Sequence, residues 1–198
     1  MDQSGVKVLK AFACAFLLAS SCAPLWAVLA GPAASAAPPV SAKWDALHFL
    51  EGDWEARTQG GAANARGSGS YTFKPELKHH VLARRSASRA DCKGPADFDC
   101  GHHDLLYVYE DPADGGLKAI YFDDEGHVIH YDVRTPEPST AIFVSTPSRT
   151  AAQFQLIYQL KGGVMSGRFQ IRVPGQTDWR SYLEWSGRAR SGRVARPG

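Results

Sequence analysis

The sequence predicts an all-β protein, a single antiparallel up-and-down barrel of about ten strands behind a short N-terminal helix. Three observations predict it. Short stretches rich in β-branched and aromatic residues recur at regular spacing, at 51–58, 68–75, 80–90, 103–110, 117–123, 127–134, 140–146, 152–161, 164–173 and 178–188. Gly, Pro and Asp turn residues separate them, and no long helical period interrupts them. The Gly162-Gly163 turn sets a register in which one face of three consecutive strands is apolar. Leu50-Glu51-Gly52-Asp53-Trp54 places a Gly-x-Trp on the first strand.

Before the strands comes an export segment. Lys7 and Lys10 precede an apolar run from Ala11 to Ala30, and Ala34-Ser35-Ala36 is a small-x-small cleavage site. That is the layout of a secretory signal peptide over residues 1–36, so the mature chain is expected to be secreted or periplasmic. Leu18-Ala19-Ser20-Ser21-Cys22 is a poor match to a lipid-attachment site, and the alternatives are a lipid anchor at Cys22 and an uncleaved membrane anchor through the apolar run. Residues 37–42 read as a disordered leader, 43–190 as the barrel and 191–198 as a frayed basic tail. Trp44, Leu47, His48 and Phe49 fall at helical spacing and predict a short lid helix.

The formal charge of the whole chain is only +2, and the export segment removes part of that. No net field is left to recruit nucleic acid or an anionic membrane. Cys14 and Cys22 lie in the export segment, which leaves Cys92 and Cys100. A lone pair in an oxidising compartment, with Pro95 between them, predicts one structural disulfide. Closing so short a loop stabilises by about 2–3 kcal/mol.

The last three strands specify their own register. Gly162-Gly163 sets Leu160 opposite Met165, Tyr158 opposite Gly167, Leu156 opposite Phe169 and Phe154 opposite Ile171. Across the next turn, Ile171 faces Ser181, Phe169 faces Leu183 and Gly167 faces Trp185. A one-residue slip would mix the apolar set with Gln155, Gln159, Arg168, Gln170 and Glu184. The middle strands are different. Leu105, Tyr107, Tyr109, Ala119, Tyr121, Val128, His130 and Asp132 alternate with Leu106, Val108, Ile120, Phe122, Ile129, Tyr131 and Val133. Both sets are substantially apolar, so alternation leaves the inward face open.

His48-Phe49-Leu50-Glu51-Gly52-Asp53-Trp54, the run Tyr121 to Tyr131, and Tyr182-Leu183-Glu184-Trp185 followed by Arg188 together resemble a calycin-type barrel. The resemblance is to the uncharacterised exported lipocalin-like bacterial proteins, with nitrobindin and the fatty-acid-binding proteins as distant relatives. It implies that Trp54 plugs one end of the barrel and that Arg188 packs over it. A nitrobindin-like activity would imply haem on a histidine near the chain end. No histidine follows His130, so no haem or other cofactor is expected.

Candidate chemistry is sparse. No Gly-x-Ser-x-Gly, Gly-rich phosphate loop or His-Glu-x-x-His occurs. Of seven histidines, His79-His80 and His102-His103 are adjacent pairs, each offering one inward ligand at most. Pairing Cys92 with Cys100 puts them at opposite ends of a hairpin, roughly 33 Å apart by strand rise, so no shared metal site is expected. His130 with Asp132 is the candidate acid–base pair, beside Tyr107 and Tyr121. Tyr107, Tyr121, His130 and Tyr158 are the candidate pocket walls, with Arg84 or Arg85 as an anchor for an anionic group. A pairing between that arginine and an internal acid is the other reading. The expected function is binding of a small amphipathic or hydrophobic ligand in the lumen. The alternatives are a small acid–base enzyme using the same cavity, and an envelope interaction protein with a filled core.

Overall fold

Strand-forming residues at two-residue alternation, cut by tight turns, have one way to bury an apolar face without leaving an edge. They close on themselves. The computed structural model, which describes residues 42–89, 91–95, 98–147 and 150–190, is such a closed barrel. Its antiparallel strands are β1 (Gly52–Gly60), β2 (Ser68–Glu76), β3 (Val81–Ser88), β4 (His103–Glu110), β5 (Leu117–Asp123), β6 (Val128–Arg134), β7 (Thr140–Ser145), β8 (Gln153–Lys161), β9 (Val164–Arg172) and β10 (Arg180–Ala189). Each pairs with its sequence neighbours, and β1 closes the barrel against β10. The export segment and the basic tail lie outside the described residues. Among the described residues no helix is long and apolar enough to cross a membrane.

The lid is a short helix, α1 (Ala42–Asp45), followed by a 3-10 turn over His48–Leu50. Trp44, Leu47 and Leu50 are all buried by it, with Leu50 fully excluded from solvent. The Trp54 indole N–H donates to the Leu50 carbonyl at 2.8 Å, and its ring stacks on Tyr71 with centroids 6.3 Å apart. The lid is thereby fixed to the first strand. Arg188 does not join this plug. β10 places it opposite Glu55, on the outer face and exposed, while Ala189 faces Trp54. The physical reason is parity. Trp185 and Gly187 point inward, so Arg188 must point out.

The β8–β9 hairpin has the expected register, with Tyr158 opposite Gly167 and Phe154 opposite Ile171. Gly162 and Gly163 both take positive φ, as a two-residue hairpin turn requires. On β10, Leu183 faces Phe169 and Trp185 faces Gly167, as expected. The register then shifts, so that Arg180 rather than Ser181 faces Ile171. Tyr182 is the extra residue of a bulge. The backbone N–H groups of Ala62 and Ala63 donate to the Ser181 and Tyr182 carbonyls at 3.0 and 2.8 Å, so the connection after β1 docks on the bulge and holds it.

Register also decides the middle strands. Leu106 faces Tyr121, and Tyr121 faces Ile129. Leu106, Val108, Ala119, Tyr121, Ile129, Tyr131 and Val133 therefore share the inward face. Leu105, Tyr107, Ile120, Phe122, Val128 and His130 share the outer one. The Cys92–Cys100 disulfide closes the long connection between β3 and β4, with Cα atoms 5.5 Å apart.

Candidate functional site

The two ends of the barrel differ. At the lid end, inward-facing Leu82, Val108, Ala119, Met165 and Trp54 are all buried. At the other end, inward-facing Tyr121, Ile129, Phe154, Phe169 and Leu183 stay half-buried although they point at the axis. Two residues deeper along the same strands, Tyr131, Leu156 and Trp185 are buried. Aromatic and aliphatic side chains thus rim that end of the barrel, its mouth, above a packed interior. Phe154 and Phe169 stack at that mouth with centroids 5.7 Å apart.

The packed interior below the mouth, its floor, is aromatic and polar. Tyr158 is fully buried, and its ring packs against Tyr71 at 5.9 Å, Phe73 at 5.3 Å, Phe143 at 6.2 Å and Trp185 at 5.8 Å. Each such pair adds about 0.5–1.5 kcal/mol beyond its burial. The Arg84 guanidinium lies 5.5 Å from the Tyr71 ring centre and 6.0 Å from that of Tyr158. Its Nη1 donates to Asp104 Oδ1, and both side chains are buried. The Ser86 hydroxyl donates to the other Asp104 oxygen at 2.5 Å.

Burial pushes the Asp104 carboxyl up, but the Arg84 charge and then hydrogen bonds from His102 and Ser86 outweigh it and hold the group below its ordinary value. Burial alone would lower the Arg84 pKa, and the Asp104 carboxylate with the surrounding phenols more than reverses that. Burial pushes the Tyr71 phenol up to about 12, against the pull of Arg84 and of the nearby Trp185 N–H. Two polar atoms of this floor, Tyr158 Oη and Arg84 Nε, have no hydrogen-bond partner among the described residues, while Trp185 Nε1 and Tyr71 Oη lie beside one another as donor and acceptor, short of good hydrogen-bond geometry.

A second polar group climbs from the floor to the rim. His102 Nε2 lies 3.0 Å from the Tyr121 hydroxyl and 3.5 Å from Asp104 Oδ2. The hydrogen bond to Asp104, against the effect of burial, raises the His102 pKa. His127 Nδ1 meets Asp123 at 2.9 Å. Asp99, His102 and Asp124 form one trio whose ligand atoms lie within 4.8 Å, and Asp123, Glu125 and His127 form another. These are the residues that could approach a metal ion. Backbone N–H groups of Gly101 and His103 already donate to Asp99 and Asp124, at 2.7 and 3.1 Å.

Of the residues singled out from sequence, Arg84, Tyr121 and Tyr158 come together inside the barrel. Tyr107, Arg85 and His130 stand on the outer face. Arg85 lies 5.9 Å from the Tyr107 ring centre and pairs with Glu76 at 3.3 Å. His130 is exposed opposite Ile120, and Asp132 is held by Lys118 at 2.7 Å. Sequence reasoning missed Tyr71, Asp104, His102 and the polar edge of Trp185. Trp185 was visible in the register row with Gly167 and Tyr158, but only as an apolar residue. Two open clefts lie outside the barrel, of about 480 Å³ beside Arg57, Asn64 and Arg66, and about 250 Å³ beside Arg57, Arg89 and Arg188. Their arginines are solvated, whereas the lumen is where buried polar groups lack partners, so the candidate site is the lumen.

No family model matches the chain, and no curated protein is similar to it. Among solved structures it is similar to the crystal structure of Rv2717c from M. tuberculosis, at 13% identity and a TM-score of 0.49, covering 77% of this chain and 99% of that one.

Proposed function

We propose that the protein is an exported, calycin-type binding barrel that takes a small amphipathic molecule through its mouth into the lumen. One observation carries the reading: half-buried apolar side chains converge at the mouth, directly above buried polar atoms without partners. Apolar walls with a few convergent polar groups are what a small-molecule site needs. Arg84, Tyr121 and Tyr158 serve the ligand, while Tyr107, His130 and Arg85 belong to the outer surface. The layout of Lys7, Lys10, the apolar run and Ala34-Ser35-Ala36 supports export, and the Cys92–Cys100 bridge suits an oxidising compartment.

The test is titration with the uncharged apolar dye Nile red. Saturable binding is expected, and Leu183→Arg, which puts a charge into the mouth, should abolish it while the melting transition persists. Equal dye binding by a folded Leu183→Arg protein would overturn the reading.

The contact of His102 with Tyr121 and Asp104 favours a second reading, acid–base chemistry on the bound molecule. Product formation from captured ligand, lost in His102→Gln while binding is retained, would establish it. In that case His102 takes the role that His130 and Asp132 suggested from sequence.

A further inference from the structure

The lumen-binding reading leaves the ligand's polar end unspecified, and the floor of the barrel specifies it. We infer that this end is a compact, uncharged hydrogen-bond acceptor, such as the carbonyl oxygen of a ketone, ester or amide, received by Arg84, Tyr71 and Tyr158. The inference rests on the lumen-binding reading above.

The first support is the kind of atom left without a partner. Buried polar groups are nearly always hydrogen-bonded. Arg84 Nε can only donate, the Tyr158 hydroxyl can donate as well, and with Trp185 N–H directed at its oxygen the Tyr71 hydroxyl keeps its own proton to donate. Their common complement is an acceptor. The four belong to one cluster, since Tyr158 packs on both Tyr71 and Trp185 and Arg84 lies over both phenols.

The second support is charge. Asp104 already neutralises Arg84 through a direct contact, with both side chains buried. The fixed charges of the floor cancel, so an ionised ligand would be buried without a counter-ion, at high cost. Among the described residues, the remaining group that could balance an anion near the floor is His102, which Asp104, Asp123, Asp124 and Tyr121 all face. Carboxylate binding would then fall as pH rises through the His102 pKa, whereas binding of a neutral acceptor would not.

The third support is size. The rings of Tyr71, Phe73, Phe143 and Trp185 pack on Tyr158 in direct contact, so only a compact end group could enter among them by displacing packed side chains.

The experiment is displacement of Nile red at alkaline pH by three probes of equal carbon number: methyl nonyl ketone, undecanoate and undecane. The ketone should bind about tenfold more tightly than either of the others, an order of magnitude expected for added hydrogen bonds. Tyr71→Phe and Tyr158→Phe should each weaken the ketone by about threefold to tenfold and leave undecane unchanged. Undecanoate binding as tightly as the ketone, or a ketone no better than undecane, overturns the inference while leaving the lumen-binding reading intact. Failure of Nile red itself to bind overturns both.

Discussion

Trp185 packs directly on the backbone of Gly167: a Cβ built on that glycine would fall 2.0 Å from the indole Cε2. The two residues face each other across β9 and β10, with Tyr158 next in the row on β8. Gly167 is thus the gap that lets an indole lie across the barrel floor. Because the obstacle is a buried ring held by neighbours, it cannot swing away. Gly167→Ala should therefore destabilise by about 3 kcal/mol, at the upper end for overpacking. Urea unfolding measures this, and an unchanged midpoint would show that Trp185 is free to move.

That row shows what the sequence made legible. Around Gly162-Gly163 one face is apolar and the other is filled with Gln, Arg and Glu, so only one register buries the right set. On β4 to β6, Leu105 beside Leu106 and Ile120 beside Tyr121 make the two faces alike, and a one-residue slip costs nothing in the pattern. Arg84-Arg85 had the same problem, since only tertiary pairing sends Arg84 to Asp104 and Arg85 to Glu76. Asp104 follows His102-His103 and reads as a loop acid until the β3–β4 register puts it opposite Ser86. The Tyr182 bulge leaves no compositional trace, because it arises from docking of the backbone at Ala62 and Ala63.

Trp54 should be a large contributor to stability. It is buried, stacked on Tyr71 and hydrogen-bonded to the lid at Leu50. Trp54→Ala should cost roughly 3–5 kcal/mol, as for a buried aromatic. Trp54→Phe, which loses the hydrogen bond but keeps a ring, should cost less. Thermal melts compare the two, and equal losses would contradict the packing role.

The Arg84–Asp104 pair should be asymmetric under mutation. Asp104→Leu strands a buried guanidinium and should cost about 3–5 kcal/mol. The double variant Arg84→Met with Asp104→Leu removes both charges and should recover most of that loss. A double variant as unstable as the single one would show that packing, not charge, dominates at this position.

Stability should depend on pH at both ends of this network. The folded Asp104 pKa lies below the ordinary 3.8, so its contribution is present above that value and is lost as pH falls through the folded one. The folded His102 pKa lies above 6.5, so its contribution is present below 6.5 and is lost as pH rises through the raised value. Unfolding free energy should therefore be highest between 3.8 and 6.5 as far as these two groups are concerned. His102→Gln should flatten the alkaline decline, and an unaltered decline would assign it to other groups.

The most direct measurement follows the Trp185 indole N–H by two-dimensional NMR while methyl nonyl ketone is added. This proton lies at the floor beside the Tyr71 hydroxyl, short of good hydrogen-bond geometry. A ligand that enters through the mouth and places its carbonyl among the floor donors should move that signal downfield in a saturable way. Undecane should not move it downfield. Shifts confined to the outer face, around Phe122 and Val128, with the Trp185 signal unmoved at saturation, would contradict lumen binding.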